Sequence, residues 1–152
     1  MEIRAIGPGH PAVARLLDEH LQGMAQLSPP ESIHALDHHA LLQPDISFWS
    51  VWREESLMGC GALKRLDETH GEIKSMRTAA AFLRQGVAAF VLQHILDEAA
   101  QRGLRRLSLE TGSMDGFAPA HRLYERFGFV RCPPFSDYHD DPNSLFFSRE
   151  LP

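Results

Sequence analysis

The chain has 152 residues, 43% of them hydrophobic and 23% charged, which suits one globular domain spanning residues 1–152 around a single core and leaves too little for a second. Its formal charge of −5 is mixed along the sequence rather than blocked, which excludes a field that gathers nucleic acid or an anionic membrane surface. Cys60 and Cys132 lack paired or metal-ligand spacing, and no apolar run approaches a signal sequence or the roughly 18 residues of a membrane span, so a reduced, soluble, cytoplasmic protein without a structural metal is expected.

MEIRAI reads as a short strand with Ile3 and Ala5 inward, followed by a turn at GPGHP and a helix over 11–27, where Leu16, Leu17, His20, Leu21 and Met24 recur at helical spacing. SPP at 28–30 stops that helix, and Ser32 or Glu31 opens a second through IHALDHHALL, which Pro44 ends. FWSVW, SLMGCGAL and GEIKSMRT, separated by REE and RLDETH, read as an antiparallel meander. A long helix over 85–101 follows, closed by Arg102 and a left-handed Gly103. RRLSLET is a strand, FAPAHRLYERF a helix stopped by Gly128, and FVRC and SLFFSREL the last two strands. The order β, α, α, β, β, β, α, β, α, β, β is a mixed α/β layout of about seven strands and about four helices, with a crossover from the fourth strand to the fifth.

The stretch RQGVAA, at 84–89, opens the long helix without a Ser, Thr, Asp or Asn cap. A helix start leaves about four N–H groups without intrahelical partners. Gly86 keeps side-chain bulk away from them, and Val87, Ala88 and Ala89 form a compact first turn, so this end is a socket for an oxyanion such as phosphate, with Arg84 as a nearby cation. The alternative is that water or the Gln85 amide satisfies the same donors.

Strand GEIKSMRT, the loop Q-G-V-A, the long helix, a strand and then A-H-R-L-Y-E-R-F-G-F together resemble the GNAT superfamily of N-acetyltransferases over nearly the whole chain. SPPESIHALD, GCGALK, LSLETGS and PF-x-DY-x-x-DPNS resemble one small bacterial subfamily of it. The resemblance implies the GNAT fold, a central mixed, mostly antiparallel sheet flanked by helices. In that family an Arg/Gln-x-x-Gly-x-Gly/Ala loop binds the pyrophosphate of acetyl-CoA through backbone amides. Gly86 and Ala88 match its last two positions, and Leu83 and Arg84 depart from the family's first two. Acetyl-CoA is therefore the implied co-substrate, with Arg84, Gln85, Gly86, Val87, Ala88 and Ala89 at the diphosphate and backbone groups of Met76, Arg77 and Thr78 along the pantetheine. Phe117 stands where the family often has an asparagine against CoA, so its contact, and that of Ala120, is apolar.

Acetyl transfer to an amine needs a neutral amine, a polarised thioester carbonyl and a proton for the departing thiolate. The resemblance assigns that proton to Tyr124, which from spacing alone belongs to an apolar face with Phe117, Ala120, His121 and Phe127 and reads equally as core. It offers Glu72 as the base, against a plain ion pair with Lys74 or Arg77, and Glu110 as the second candidate. Strand alternation puts Glu72, Lys74, Met76 and Thr78 on one face. His34 and His38 share a helical face but make no closed metal site, and a solvated or substrate-facing helix is preferred. The first two helices wall the acceptor pocket in the family, which makes Ser32, His34 and Asp37 candidates for substrate contact beside Glu110. The expected acceptor is a primary amine of a small molecule or amino acid. The alternatives are a protein or peptide amine, and a CoA-sensing module that has lost catalysis. The family resemblance also allows a homodimer.

Overall fold

Val87, Val91, Leu92, Ile95, Leu96 and Ala99 recur every three or four residues, and helix α2 (Val87–Gln101) buries all six against a seven-stranded sheet. The computed structural model describes residues 1–34 and 38–152. The strands are β1 (Glu2–Arg4), β2 (Ile46–Arg53), β3 (Ser56–Arg65), β4 (His70–Thr78), β5 (Arg106–Gly112), β6 (Val130–Arg131) and β7 (Ser144–Glu150), joined by α1 (Pro11–Leu27), α2 and α3 (Ala118–Arg126). Their spatial order is β1-β2-β3-β4-β5-β7-β6, antiparallel throughout except where β4 meets β5. α2 makes that one parallel connection. Val51, Ile73, Leu107 and Leu109 face α2 and α3, whereas Trp52, Cys60 and Ala62 face Val13, Leu16 and Leu17 of α1.

The mixed sheet is as expected from the sequence, but three α-helices form among the described residues rather than about four. Where a second helix was expected, single 3-10 turns stand at Pro30–Ser32 and Ala40–Leu42, and Ala35, Leu36 and Asp37 lie outside the described residues. Pro30 biases its predecessor away from helical backbone, and Ile33 is extended at φ −94° and ψ 118°. The side chains of Ser32 and His34 bond and stack across the molecule instead of supporting a local helix. Ala5 is exposed beyond the end of β1, while Ile3 packs on the core. Gly103 and Gly128 do close their helices with left-handed φ of 81° and 86°. No described helix is long and apolar enough to cross a membrane.

β4 carries a bulge. Cys60 pairs with Arg77 and Ala62 with Lys74, so Ser75 and Met76 together oppose Gly61, and Ser75 takes φ 57°. The extra residue breaks the expected alternation. Met76 crosses to the α2 face, where a Cβ on Gly61 would lie 2.8 Å from Met76 Sδ and 3.1 Å from Ile95. Arg77 turns to the α1 face, with Nη1 3.0 Å from where Gly23 would carry a Cβ. Glu72, Lys74, Met76 and Thr78 therefore do not share one face.

Candidate active site

β4 and β5 pair at His70–Arg106, Gly71–Leu107 and Glu72–Ser108, and then separate. Beyond that point β4 stays with β3 and β5 with β7. The gap holds a chamber of about 120 Å³ lined by Glu72, Met76 and Glu110 from the strands and by Phe117, Ala120 and Tyr124 from the α3 region. His20 and Met24 of α1 close its opposite side. Because the strands have parted, residues from both faces of the sheet meet in one space.

Several groups in this chamber are electrostatically displaced. Burial raises the Glu110 carboxyl to about 7, with the Ser144 hydroxyl and then Lys74 pulling it down and Glu72 and Asp141 pushing it up. Burial also raises the Tyr124 phenol, reinforced by the charge of Glu110, so it keeps its proton at neutral pH. The Tyr124 ring packs against Phe129 and Phe147, which fixes it in the core while its edge lines the chamber. The ring is thus part of the core, as its helical spacing predicts, and it also borders the chamber. His20 is lowered to about 4, by burial and then by Arg77, and stands as a neutral imidazole.

An outer cavity of about 610 Å³ adjoins the chamber, and Glu72, Lys74, His34 and Tyr138 line both. Glu72, 3% exposed, sits in a closed ring of hydrogen bonds. Lys74 Nζ donates to Glu72 Oε2 at 3.1 Å and to the Tyr138 hydroxyl at 2.9 Å, and that hydroxyl donates to Glu72 Oε2 at 2.5 Å. Burial and the neighbouring Glu72 push the Tyr138 phenol up. Tyr138 belongs to the strap between β6 and β7, held by Phe135 and Phe146 against its ring and by Ser32 Oγ donating to Asp141. Asp141, held low by that bond, accepts from Asn143 N–H as well, and Ser113 Oγ donates to the Pro142 carbonyl. Glu31, Asp137 and Asp140 add carboxylates to the cavity wall against Lys64 and Lys74.

At the far end of β4, Gly86 is the left-handed N-cap of α2 at φ 82° and offers no cap. The Gln85 amide donates to the Ala81 carbonyl at 3.5 Å rather than serving the helix, so the capping alternative does not apply to it. The helical ladder opens with Phe90 N–H on the Gly86 carbonyl, which leaves the N–H groups of Val87, Ala88 and Ala89 ahead of it. A Cβ built on Gly86 meets nothing within 4 Å. Leu83 is 57% exposed and Arg84 has φ 63°, so the loop projects away from the core.

The structure therefore gathers Glu72, Glu110, Met76, Phe117, Ala120 and Tyr124 at one chamber and Ser32 and His34 at the adjoining cavity. The Arg77 side chain packs toward α1 instead, and Asp37 lies outside the described residues. His34 stacks edge-on to Tyr138, while His38 Nε2 lies 3.2 Å from Asp18 Oδ1, so the two imidazoles take separate partners. Among the described residues no three His, Cys, Asp or Glu side chains form a metal-binding group. Reading the sequence missed Tyr138 and His20. The available signal for Tyr138 was an aromatic residue set among aspartates in PFSDYHDD.

Comparison with known proteins agrees with this architecture. The Acetyltransferase (GNAT) family matches residues 10–129. The uncharacterized N-acetyltransferase YsnE of Bacillus subtilis is 60% identical over 91% of this chain and 92% of its own, and the uncharacterized N-acetyltransferase YedL of Escherichia coli 56% over 93% and 89%. A protein of Azospirillum brasilense named IAA acetyltransferase is 37% identical over 95% and 94%. Among solved structures, a GNAT family acetyltransferase from Elizabethkingia anophelis with acetyl-CoA bound shares the fold at TM-score 0.69 and 17% identity, over 99% of this chain and 97% of that one. The chain belongs to the GNAT family and is an N-acetyltransferase.

Proposed function

We propose that the protein moves an acetyl group from acetyl-CoA directly to a primary amine of a small molecule. The observation that carries this reading is the chamber between the diverging strands, where a raised carboxyl and a protonated phenol share one space. The open, uncapped end of α2 fits a diphosphate, since its leading N–H groups and dipole favour an anion and nothing occupies the space over Gly86. Val87, Ala88 and Ala89 N–H would hold it, flanked by Arg84 and Gln85. Backbone groups of Met76 to Thr78 would run along the pantetheine, with Phe117 and Ala120 giving apolar contact. Bound acetyl-CoA supplies a thioester whose carbonyl carbon bonds to the amine nitrogen as the C–S pair moves to sulfur.

A cationic amine first gives one proton to water; Glu110 then accepts the proton that the nitrogen sheds on attack, and its value of about 7 suits a base working near neutral pH. Tyr124 gives its phenolic proton to the sulfur. Glu110 then returns its proton to Tyr124, so both groups end as they began. Ser32, His34 and the strap wall the acceptor, and the carboxylates of the outer cavity favour a cationic amine. A volume of about 610 Å³ lies within the usual range for small ligands, about 300–1,000 Å³. Cys60 is an unsuitable nucleophile because burial raises its thiol to about 12, which supports direct transfer over an acetyl-cysteine route.

The test is thiol release from acetyl-CoA with putrescine, L-lysine, tryptamine and a basic peptide, with products identified by mass spectrometry. Release with at least one small amine supports the proposal. Release with the peptide alone, or with no amine, contradicts it.

A further inference from the structure

The ring formed by Glu72, Lys74 and Tyr138 has no role in the transfer described above, yet it stands at the junction between the outer cavity and the reaction chamber. A carboxylate there would ordinarily compete with Glu110 for the amine proton. Glu72 Oε2, however, already accepts from both Lys74 Nζ and the Tyr138 hydroxyl, and the Glu72 and Lys74 side chains are 4% and 8% exposed. A base must also point a lone pair along the line of the proton that it takes, and two donors on one oxygen fix the direction in which the Glu72 carboxylate points. Glu110 accepts neither of the ring's donors.

We infer that Tyr138 is a positioning residue: by donating to Glu72 and accepting from Lys74, it keeps Glu72 out of the proton path and leaves Glu110 as the acceptor of the amine proton. This rests on the acetyl-transfer reading above. The strap thereby takes part in the chemistry as well as in shaping the acceptor wall, since Phe135 and Phe146 hold the Tyr138 ring and the Ser32–Asp141 contact holds the strap. The groups facing Glu110 are Glu72 and Lys74 of β4, Tyr124 of α3, Asp141 and Tyr138 of the strap, His20 of α1, His34 and Ser144. Removing the phenolic hydroxyl changes none of their formal charges at neutral pH.

The experiment compares Glu110→Gln with the double variant Glu110→Gln/Tyr138→Phe, using acetyl-CoA and whichever of the four acceptors named above the wild type uses best. Glu110→Gln alone loses at least about 100-fold in kcat, the usual scale of a lost general base. The double variant regains at least about tenfold over Glu110→Gln, because the Glu72 carboxylate, released from one of the two contacts that fix it, can turn to the proton, and its pH profile acquires a new limb. A purely structural tyrosine makes the double variant equal to or slower than Glu110→Gln, and that result overturns the inference. Lys74→Met in the same background removes the ring's other donor to Glu72 while leaving the Phe135 and Phe146 packing and the Ser32–Asp141 contact that hold the strap, and its rescue or failure decides the matter if Tyr138→Phe does not fold. A wild type without turnover overturns the parent reading, whereas an active wild type whose Glu110→Gln variant is equally active overturns only the proton assignment.

Discussion

Glu72 and Ser108 are the last residues at which β4 and β5 pair, and the strands part immediately beyond them. That single break in a parallel ladder makes the chamber, because the side chains that follow on each strand no longer face a neighbour. The bulge at Ser75 contributes from the other edge by sending Met76 to the α2 face and Arg77 to the α1 face. Backbone geometry, rather than any one side chain, therefore creates the space that Glu110 and Tyr124 share.

Tyr124→Phe is expected to lower kcat by about 100-fold or more and to leave KM for acetyl-CoA nearly unchanged. The ring packs on Phe129 and Phe147, and phenylalanine keeps that packing, so the melting temperature should hardly move. Steady-state kinetics beside a thermal melt check both halves.

Glu110 links activity and stability to pH in opposite directions. In its proposed role as base it must lose its proton, so kcat/KM for the amine should rise as pH passes through about 7, and Glu110→Gln should abolish that limb. For stability, the folded carboxyl at about 7 lies above its ordinary 4.5, so the folded state binds the proton more tightly. Its stabilising contribution is complete below pH 4.5 and is lost as pH rises through about 7. Glu110→Gln, which has no such loss, should gain on the wild type across that window by on the order of 1–3 kcal/mol. Melting curves from pH 4 to 8.5 measure the difference.

At Gly86 the fold and the ligand make separable demands. Alanine there must adopt a left-handed φ, which costs about 1 kcal/mol, but its Cβ meets no protein atom within 4 Å. Gly86→Ala should therefore fold with a small loss of stability while binding acetyl-CoA at least about tenfold more weakly, because the methyl stands where the diphosphate approaches. Calorimetric titration beside a denaturant melt distinguishes the two effects.

Ser32→Ala removes the donor that ties the 30–34 segment to Asp141. A net hydrogen bond of about 1 kcal/mol corresponds to about fivefold, and the change should appear in KM for the amine rather than for acetyl-CoA. Equal rises in both constants would show that the contact does not belong to the acceptor wall.

The sheet, the crossover through α2 and the uncapped start at Gly86 were legible because each is written in local periodicity or in an absent cap. The described residues on either side of 35–37 do not form the expected helix, because Ser32 and His34 are recruited by Asp141 and Tyr138, residues about a hundred positions away. Neither the bulge at Ser75 nor the Glu72–Lys74–Tyr138 ring has a local signature. A left-handed serine is not favoured by its own chemistry, and a tyrosine in a polar strap reveals its partners only when the chain closes. Glu72 was offered as a base beside Glu110 from its position on the strand, and position alone does not show that Lys74 and Tyr138 both bond one of its oxygens.

The most direct test is to titrate the protein with acetyl-CoA and with S-acetylpantetheine, which carries the same thioester without the diphosphate, and to follow heat and melting temperature. A groove between parted strands that ends at bare helix amides predicts one acetyl-CoA per chain, bound at least about 100-fold tighter than the truncated thioester. Equal affinity for the two, or no binding of acetyl-CoA at millimolar concentration, would contradict the account.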